Sequence, residues 1–458
     1  MAITHSKSLV VIGGNDAGLS AAGRAKRLDP QWQVTVIERT SHSAYASCGL
    51  PLYIAGQVDQ TLVAGRPPAE LEKERQICIR NRCEALEINA VKRMVVARDL
   101  QSGEIFEQPY NKLVLATGSR PRIPAWAQEK ADNLFTLRTY ADAERLKTYL
   151  DQHPVRQAVV VGAGYIGLEI AEALHERGIR TAIVEQASRP FAAWSEALVE
   201  PLIQTVQQHD IALHCNCSVT GVRCRDGHID QVEVKDQPPL PCDLLFIAVG
   251  IEPEVSLAQA ANIPLGKSGA IHVDRYQQTD RLNTYAVGDC CESIHLLTRK
   301  PVWAPFAGVA SKQGQAAGSH IGGKADPFPG VLASSLVRVF GLEMGATGLN
   351  ADQARAAGYD PQTTAISHPD RSEYIPDNRP VTVALISDKK SDKLLGAQIS
   401  GPPGSGHRLN ILAAVLTAGM TARELAYLDL SYIPQLAPVW DPVSIAGRVA
   451  SKSSMRRI

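Results

Sequence analysis

Residues 158–169 read "AVVVGAGYIGLE". The apolar run Ala158–Val161 predicts a buried parallel strand. Gly162, Gly164 and Gly167 follow as G-x-G-x-x-G, and a helical pattern, "LEIAEALHERG", runs to Gly178. A second strand, "TAIVE", ends on Glu185. In such a unit the first glycine makes the tight turn and the second lets a pyrophosphate approach the backbone. The third lets helix and strand pack closely, and the helix N-terminus faces the phosphates. An acid about 20 residues further on accepts hydrogen bonds from a ribose diol. A carboxylate at Glu185 would repel a 2′-phosphate, so NADH is expected and NADPH is disfavoured. A glycine-rich packing turn would explain the glycines but not the acid at the end of the next strand.

The N-terminus repeats the plan. "SLVVIGGNDAGLSAAGRAKRL" (8–28) offers a strand, then Gly13, Gly14 and Gly18, then a helix of small residues. "QVTVIER" (33–39) is a second strand ending at Glu38, and Asn15 stands where the middle glycine would be. Two such units predict two dinucleotides, for which a hydride donor and a flavin are the natural pair. "YNKLVLATGSRPRIP" (110–124) and "TYAVGDC" (284–290) add strands that end in Thr117-Gly118 and Gly288-Asp289. The expected class is α/β, with two Rossmann-like domains.

A chain of 458 residues is long enough for two to four domains. Lys plus Arg number 47, as do Asp plus Glu, without long runs of one sign, so nucleic acid is not an expected partner. The apolar runs are too short to span a bilayer. The opening "MAITHSKSLVVIGG" lacks the parts of a secretory signal, which makes the cytoplasm the expected setting. Nine cysteines in this length do not suggest a disulfide scaffold. Cys215 and Cys217, or Cys290 and Cys291, lack a second pair at zinc-finger spacing, so no metal is expected. Most of the thiols are expected in the core.

One thiol stands apart, in "YASCGLPLYIAG" (45–56). Cys48 is expected at the start of a helix, with Pro51 in its first turn. Oriented N–H groups there favour the thiolate. With no second cysteine within a few residues, Cys48 cannot close a local disulfide. Its oxidised form would be a mixed disulfide with a small thiol, or a sulfenic acid.

Together these stretches resemble the pyridine nucleotide-disulfide oxidoreductase family, and "YASCGLPLYIAG" resembles its single-cysteine branch of coenzyme A disulfide reductases, NADH oxidases and NADH peroxidases. "VWAPFAGVASKQGQAAG" (302–318) and "LDLSYIPQLAPVWDPVSIAG" (428–447) are similar to segments of that branch. The resemblance implies an FAD-binding domain from 1–115 and 280–325, an NAD(P)H-binding domain at 116–279, and a C-terminal α/β dimerisation domain at 330–458 of a homodimer.

Carried over residue by residue, FAD would meet Gly13, Gly14, Ala17 and Gly18, with Glu38 and Arg39 at its adenosine end. Ser47, Thr117, Gly118, Arg138, Asp289 and Ala307 would meet it further along. NADH would meet Gly162, Gly164, Ile166, Gly167, Glu169, Glu185 and Gly250, and Tyr165 would swing aside for the nicotinamide. Arg24, Arg27 and Ser47 would meet the substrate, and Tyr374 and Tyr432 of the partner subunit would donate to a leaving thiolate. The chain departs from the branch at Ala44, Ser47 and Leu52, in the coenzyme A pattern, and at Glu254, where an asparagine is usual. Asp16 replaces the histidine of the oxidase and peroxidase enzymes.

The expected activity is FAD-dependent reduction by NADH of a low-molecular-weight disulfide or persulfide, of the coenzyme A disulfide kind, through Cys48. The alternatives are an NADH oxidase or peroxidase cycling through Cys48 sulfenate, and a flavin electron-transfer component for a protein acceptor. Three stretches look like decoys. "GPPGSGHRL" (401–409) mimics a phosphate loop but has His407 in the lysine's place. "HPDRSE" (368–373) mimics a catalytic histidine segment, yet His368 is expected in a surface loop. The basic tail "ASKSSMRRI" is expected to be unstructured.

Overall fold

The computed structural model describes residues 7–128 and 131–455. Two parallel sheets share one plan. In the first, Ser8–Ile12 lies at the centre between Gln33–Ile37 and Lys112–Leu115, with Cys78–Arg80 and Thr284–Ala286 at the edges. In the second, Gln157–Val161 lies between Arg180–Val184 and Leu244–Ile247, with Ala212–His214 and Leu134–Phe135 outside. The central strands are apolar throughout because both faces of a parallel sheet are covered. Leu9, Val10, Val11, Val159 and Val160 are fully or almost fully buried.

Each central strand ends in a glycine turn that no other residue fits. Gly13 has φ +112°, and a Cβ there would collide with the Ala116 carbonyl oxygen. Gly162 has φ +105°, and its Cβ would collide with the Ala248 carbonyl oxygen. Gly18 and Gly167 lie against the Gly13 and Gly162 carbonyls in the same way, so each following helix, Asp16–Leu28 or Tyr165–Glu176, starts in backbone contact with its strand.

The first unit is completed from far along the chain. Helix Ala307–Ile321 lies on Asp16–Leu28 so closely that a Cβ at Gly318 would stand 2.6 Å from the Ala21 carbonyl oxygen. The small residues of "AGVASKQGQAAGSH" are therefore a packing requirement. Beyond it, an antiparallel five-stranded sheet runs in the order Ser335–Val339, Leu342–Gly348, Leu394–Gly401, Pro380–Asp388, Pro361–Pro369. Helices Ser405–Ala418 and Pro442–Met455 pack on it. The α/β class stands as read. Among the described residues no helix is long and apolar enough to cross a membrane.

Several local expectations need correction. Cys48 lies in a single 3-10 turn, Ser47–Gly49, and the α-helix proper, Leu50–Ala55, begins after it. His368 belongs to strand Pro361–Pro369, where its backbone pairs with Val381. The tail continues the last helix through Met455, because Ala446 and Ala450 are buried in the core; residues 456–458 lie outside those described. Cys83, Cys217, Cys242, Cys290 and Cys291 are buried as expected, but Cys78 and Cys224 point outward from strands. The loop that mimics a phosphate cradle is already filled: Glu343 accepts from the Gly404 and Gly406 N–H groups at 3.0 and 2.7 Å.

The glycine turns separate fold from ligand binding. Gly164 has an ordinary φ of −85° and nothing within 4 Å of a Cβ. Gly162→Ala should lower unfolding stability by roughly 2–4 kcal/mol, whereas Gly164→Ala should stay within about 0.5 kcal/mol of wild type. Denaturant melts without added dinucleotide check this, and equal losses would contradict it.

Candidate functional site

The two glycine turns open onto one cavity of about 950 Å³. From the first unit its wall takes Asn15, Ala17, Gly18, Ser47 and Cys48. Gly118, Arg138, Asp289 and Ala307 add to that side. From the second unit come Gly162, Gly164, Tyr165, Ile166, Glu169, Glu185 and Gly250. Residues more than a hundred positions apart thus meet, because the crossover 116–121 and the return 250–253 pair as short antiparallel strands between the units.

The strand-end acids act alike. Glu38 accepts from the Gly14 and Thr40 N–H groups, each at 2.7 Å. Glu185 accepts from Ala163 and Ala187, again at 2.7 Å. Each carboxylate therefore ties its own glycine turn to the end of the second strand, and Glu185 also lines the cavity. The chain fits dinucleotides at both turns. The space over Gly164 is open where a pyrophosphate would lie, and Asn15 Oδ1 is buried in the wall with no hydrogen-bond partner in the protein. Such an oxygen suits a ligand hydroxyl.

Asp289 is positioned from three directions. Its Oδ2 accepts from Ser119 Oγ at 2.9 Å and Arg138 at 3.3 Å, while Trp303 donates to its backbone carbonyl at 2.7 Å. Thr117 is turned away: its hydroxyl donates to the Glu254 carbonyl at 2.6 Å, so it braces the crossover. Gly13, Gly14, Glu38, Arg39, Thr117 and Gly167 do not line the cavity. Neither do Arg24 and Arg27; Arg24 donates to Ser319 Oγ at 3.0 Å and Arg27 is exposed.

Cys48 faces the cavity, but its surroundings differ from the expected ones. Burial pushes the thiol pKa up, and Glu169, Asp16 and Asp289 push it further. Only a hydrogen bond from Ser47 acts the other way. One 3-10 turn ahead of a six-residue helix does not outweigh desolvation and three carboxylates. Glu169 is itself pushed up to about 7 by burial and by Glu172. Asp16 is raised by burial and by Asp289, against Arg138.

Tyr374 and Tyr432 stand on the surface of the C-terminal unit, outside the cavity. They hydrogen-bond to each other, and the bond raises the Tyr374 pKa and lowers that of Tyr432. Sequence reading missed Ser335, which lines the cavity and bonds to Tyr165, and Ser119, which bonds to Asp289. Ser119 directly follows Thr117-Gly118 in the quoted stretch, whereas Ser335 lies in no motif and only the fold brings it in.

The sequence model of the family described as "Pyridine nucleotide-disulphide oxidoreductase" matches residues 7–314. That of its "dimerisation domain" matches 334–442. The chain is 33% identical over 445 residues to the "NAD(P)H sulfur oxidoreductase (CoA-dependent)" of Pyrococcus furiosus, covering 97% of this chain and 99% of the relative. It is 25% identical over 442 residues to the "Coenzyme A disulfide reductase" of Staphylococcus epidermidis, covering 96% and 98%. Among solved structures it is similar to an NAD-dependent persulfide reductase from A. fulgidus, with TM-score 0.93, 32% identity, and coverage of 98% of this chain and 84% of that one. The reduced CoADR-RHD of Bacillus anthracis matches with TM-score 0.95 and 31% identity, over 99% and 81%.

Glu169 carries a pH prediction. Its pKa rises from 4.5 to about 7 on folding, so the folded protein holds this proton more tightly than the unfolded chain. Its contribution is fully present below pH 4.5 and is lost as pH rises through about 7. Glu169→Gln should therefore gain stability over wild type between those limits, reaching on the order of 1–3 kcal/mol by pH 8. Denaturation midpoints across that range check it; parallel curves for the two proteins would contradict it.

Proposed function

The chain belongs to the pyridine nucleotide-disulphide oxidoreductase family, and on that footing we propose that it uses NADH to reduce a low-molecular-weight disulfide or persulfide through Cys48. The observation that carries this reading is the Cys48 thiol, without a resolving cysteine, in a cavity shared by two dinucleotide turns. The other cysteine in the wall, Cys217, sits beside Glu185 with its backbone N–H on the Glu185 carbonyl and its thiol on Cys215, so it does not serve as a resolving partner. The second sulfur must come with the substrate.

When bound, FAD would supply the relay that carries two electrons from NADH to sulfur. The first turn and Asp16–Leu28 would hold its pyrophosphate, Glu38 and Arg39 its adenosine, and Asp289 with Arg138 its ribityl chain. Gly118 and Ala307 would close around it, with Thr117 contributing its backbone alone, since its hydroxyl is held by the Glu254 carbonyl. Gly162, Gly164, Ile166 and Gly167 would seat the NADH pyrophosphate, with Glu185 on the adenosine ribose and Gly250 beside the nicotinamide half. The Cys48 thiolate attacks one sulfur of R–S–S–R, forming Cys48–S–S–R and expelling RS⁻, which takes up a proton. Two electrons and one proton then return Cys48 to thiolate and release the second thiol. For a persulfide, R–S–S–H, the expelled group is RS⁻ or HS⁻. Glu169, with its pKa near 7, can carry a proton in the cavity at neutral pH.

Coenzyme A is the thiol that the named relatives suggest, since the P. furiosus enzyme is called CoA-dependent and the S. epidermidis enzyme a coenzyme A disulfide reductase. Arg27 and Ser47 are the proposed contacts here, while Arg24 is already engaged by Ser319. The proposed assembly is a homodimer in which Tyr374 and Tyr432 of the partner subunit reach the thiol-binding end. The proposed domains are 1–115 with 280–325, 116–279, and 330–458. A reducing cytoplasm suits buried Cys290 and Cys291, adjacent thiols that hydrogen-bond to carbonyl oxygens. Asp16 stands where the oxidase and peroxidase enzymes carry a histidine, which speaks against a peroxide reaction at Cys48.

Turnover with coenzyme A disulfide, glutathione disulfide, cystine, persulfides, peroxide and oxygen tests the reading. Disulfide or persulfide turnover should exceed peroxide turnover, and Cys48→Ser should lose it by roughly 10³-fold while keeping its flavin. Retained disulfide turnover in Cys48→Ser would falsify the role of this thiol; fast peroxide turnover alone would favour the peroxidase. From Glu185, kcat/KM for NADH should exceed that for NADPH by about 10-fold or more, and the reverse ratio would refute that assignment.

A further inference from the structure

The Tyr165 hydroxyl donates to Ser335 Oγ at 2.7 Å, and both residues line the shared cavity. Tyr165 is the first residue of helix Tyr165–Glu176, directly after the second glycine turn. Ser335 opens strand Ser335–Val339 of the C-terminal sheet, 170 positions away, and is almost completely buried. A dinucleotide whose pyrophosphate lies at this helix N-terminus, with its adenosine toward Glu185, must run its other end toward Cys48 past Tyr165 and Glu169. The aromatic ring therefore stands where the nicotinamide has to pass.

The ring is held from its other side as well. It packs against Phe191 at 4.9 Å and Trp194 at 6.5 Å between centroids. The segment bearing those two rings is in turn pinned to the C-terminal sheet, since the Ser195 N–H donates to Gln398 Oε1 at 2.8 Å. Further along the same helix, Glu172 accepts from the Phe340 N–H at 2.8 Å, and the Phe340 ring stacks on His209 at 3.9 Å. The C-terminal unit thus fixes the helix that carries Tyr165, the rings beside it, and its hydroxyl.

We propose that Ser335 is a positioning residue that latches Tyr165 across the path of the nicotinamide, so that the C-terminal domain sets how readily NADH enters. This rests on the assignment of the second glycine turn to NADH. A side chain latched in the occupied position lowers the fraction of molecules competent to bind, and the apparent Kd rises by that factor. When the ring leaves, both hydroxyls lose a buried partner. A neutral hydrogen bond of this kind changes an equilibrium by about 2- to 10-fold.

The test measures binding of 1,4,5,6-tetrahydro-NADH, which does not donate hydride, to the FAD-loaded dimer by calorimetry. Ser335→Ala and Tyr165→Phe should each tighten binding about 3- to 10-fold, and the double variant should gain nothing more. Ser335→Thr, which keeps the hydroxyl, should bind as wild type does. In turnover, KM for NADH should fall with the Kd while kcat changes less. Unchanged or weaker binding in Ser335→Ala, or additive effects of the two single variants, would overturn the latch. If Ser335→Ala does not fold, Tyr165→Phe decides alone, since it keeps the ring and removes only the hydroxyl. Failure of the wild-type protein to bind the analogue would instead overturn the NADH assignment itself.

Discussion

Everything in the site depends on a contact between backbones. At Gly13 and again at Gly162, the end of a central strand lies against the carbonyl oxygen that follows a neighbouring strand, Ala116 or Ala248. Any side chain would push the two strands apart there. With the gap closed, the next helix starts directly over the sheet, and its unpaired N–H groups point at the same place where the strands end. The acid at the end of the second strand completes the turn by taking two more N–H groups, in the first unit through Glu38 and in the second through Glu185. These acids therefore carry a structural load of their own.

Two such turns facing one cavity create an electrostatic problem that the chain solves incompletely. Asp16, Glu169 and Asp289 surround a space that also contains Cys48, and Arg138 is paired with Asp289. The protein alone disfavours the thiolate. An acidic neighbourhood of this kind keeps Cys48 as a thiol when nothing else is present, and it leaves Glu169 a proton that it can give up near neutral pH. The short helix after Cys48 does not by itself supply a thiolate.

The sheets were legible because their signals are local. Glycines, apolar runs and terminal acids lie within about 30 residues of each other in each unit. Cys48 was legible for the same reason, as a lone thiol on a glycine-proline turn. Its environment was not, since the groups that set its pKa come from Asp16, Glu169 and Asp289, which share no stretch of sequence. Thr117 misled for a related reason: its position in the crossover is right, but the hydroxyl is spent on the Glu254 carbonyl from the returning strand. The disorder assigned to the tail came from its charge, whereas Ala446 and Ala450, spaced one helical turn apart, hold that segment in the core.

From the sequence, the C-terminal unit offers an interface between copies and, through Tyr374 and Tyr432, two side chains for the partner's redox site. Its part in the cavity of its own subunit is not legible there, because its sheet is antiparallel and carries no nucleotide motif. In the folded protein its first strand reaches into the cavity through Ser335 and Leu336, and the far end of that strand meets the Tyr165–Glu176 helix again at Phe340. An edge strand with one polar contact at each end fixes a helix in both position and rotation, because sliding along either axis breaks one contact or the other. The unit that would pair two subunits is thus joined at both ends of one strand to the helix that carries Tyr165.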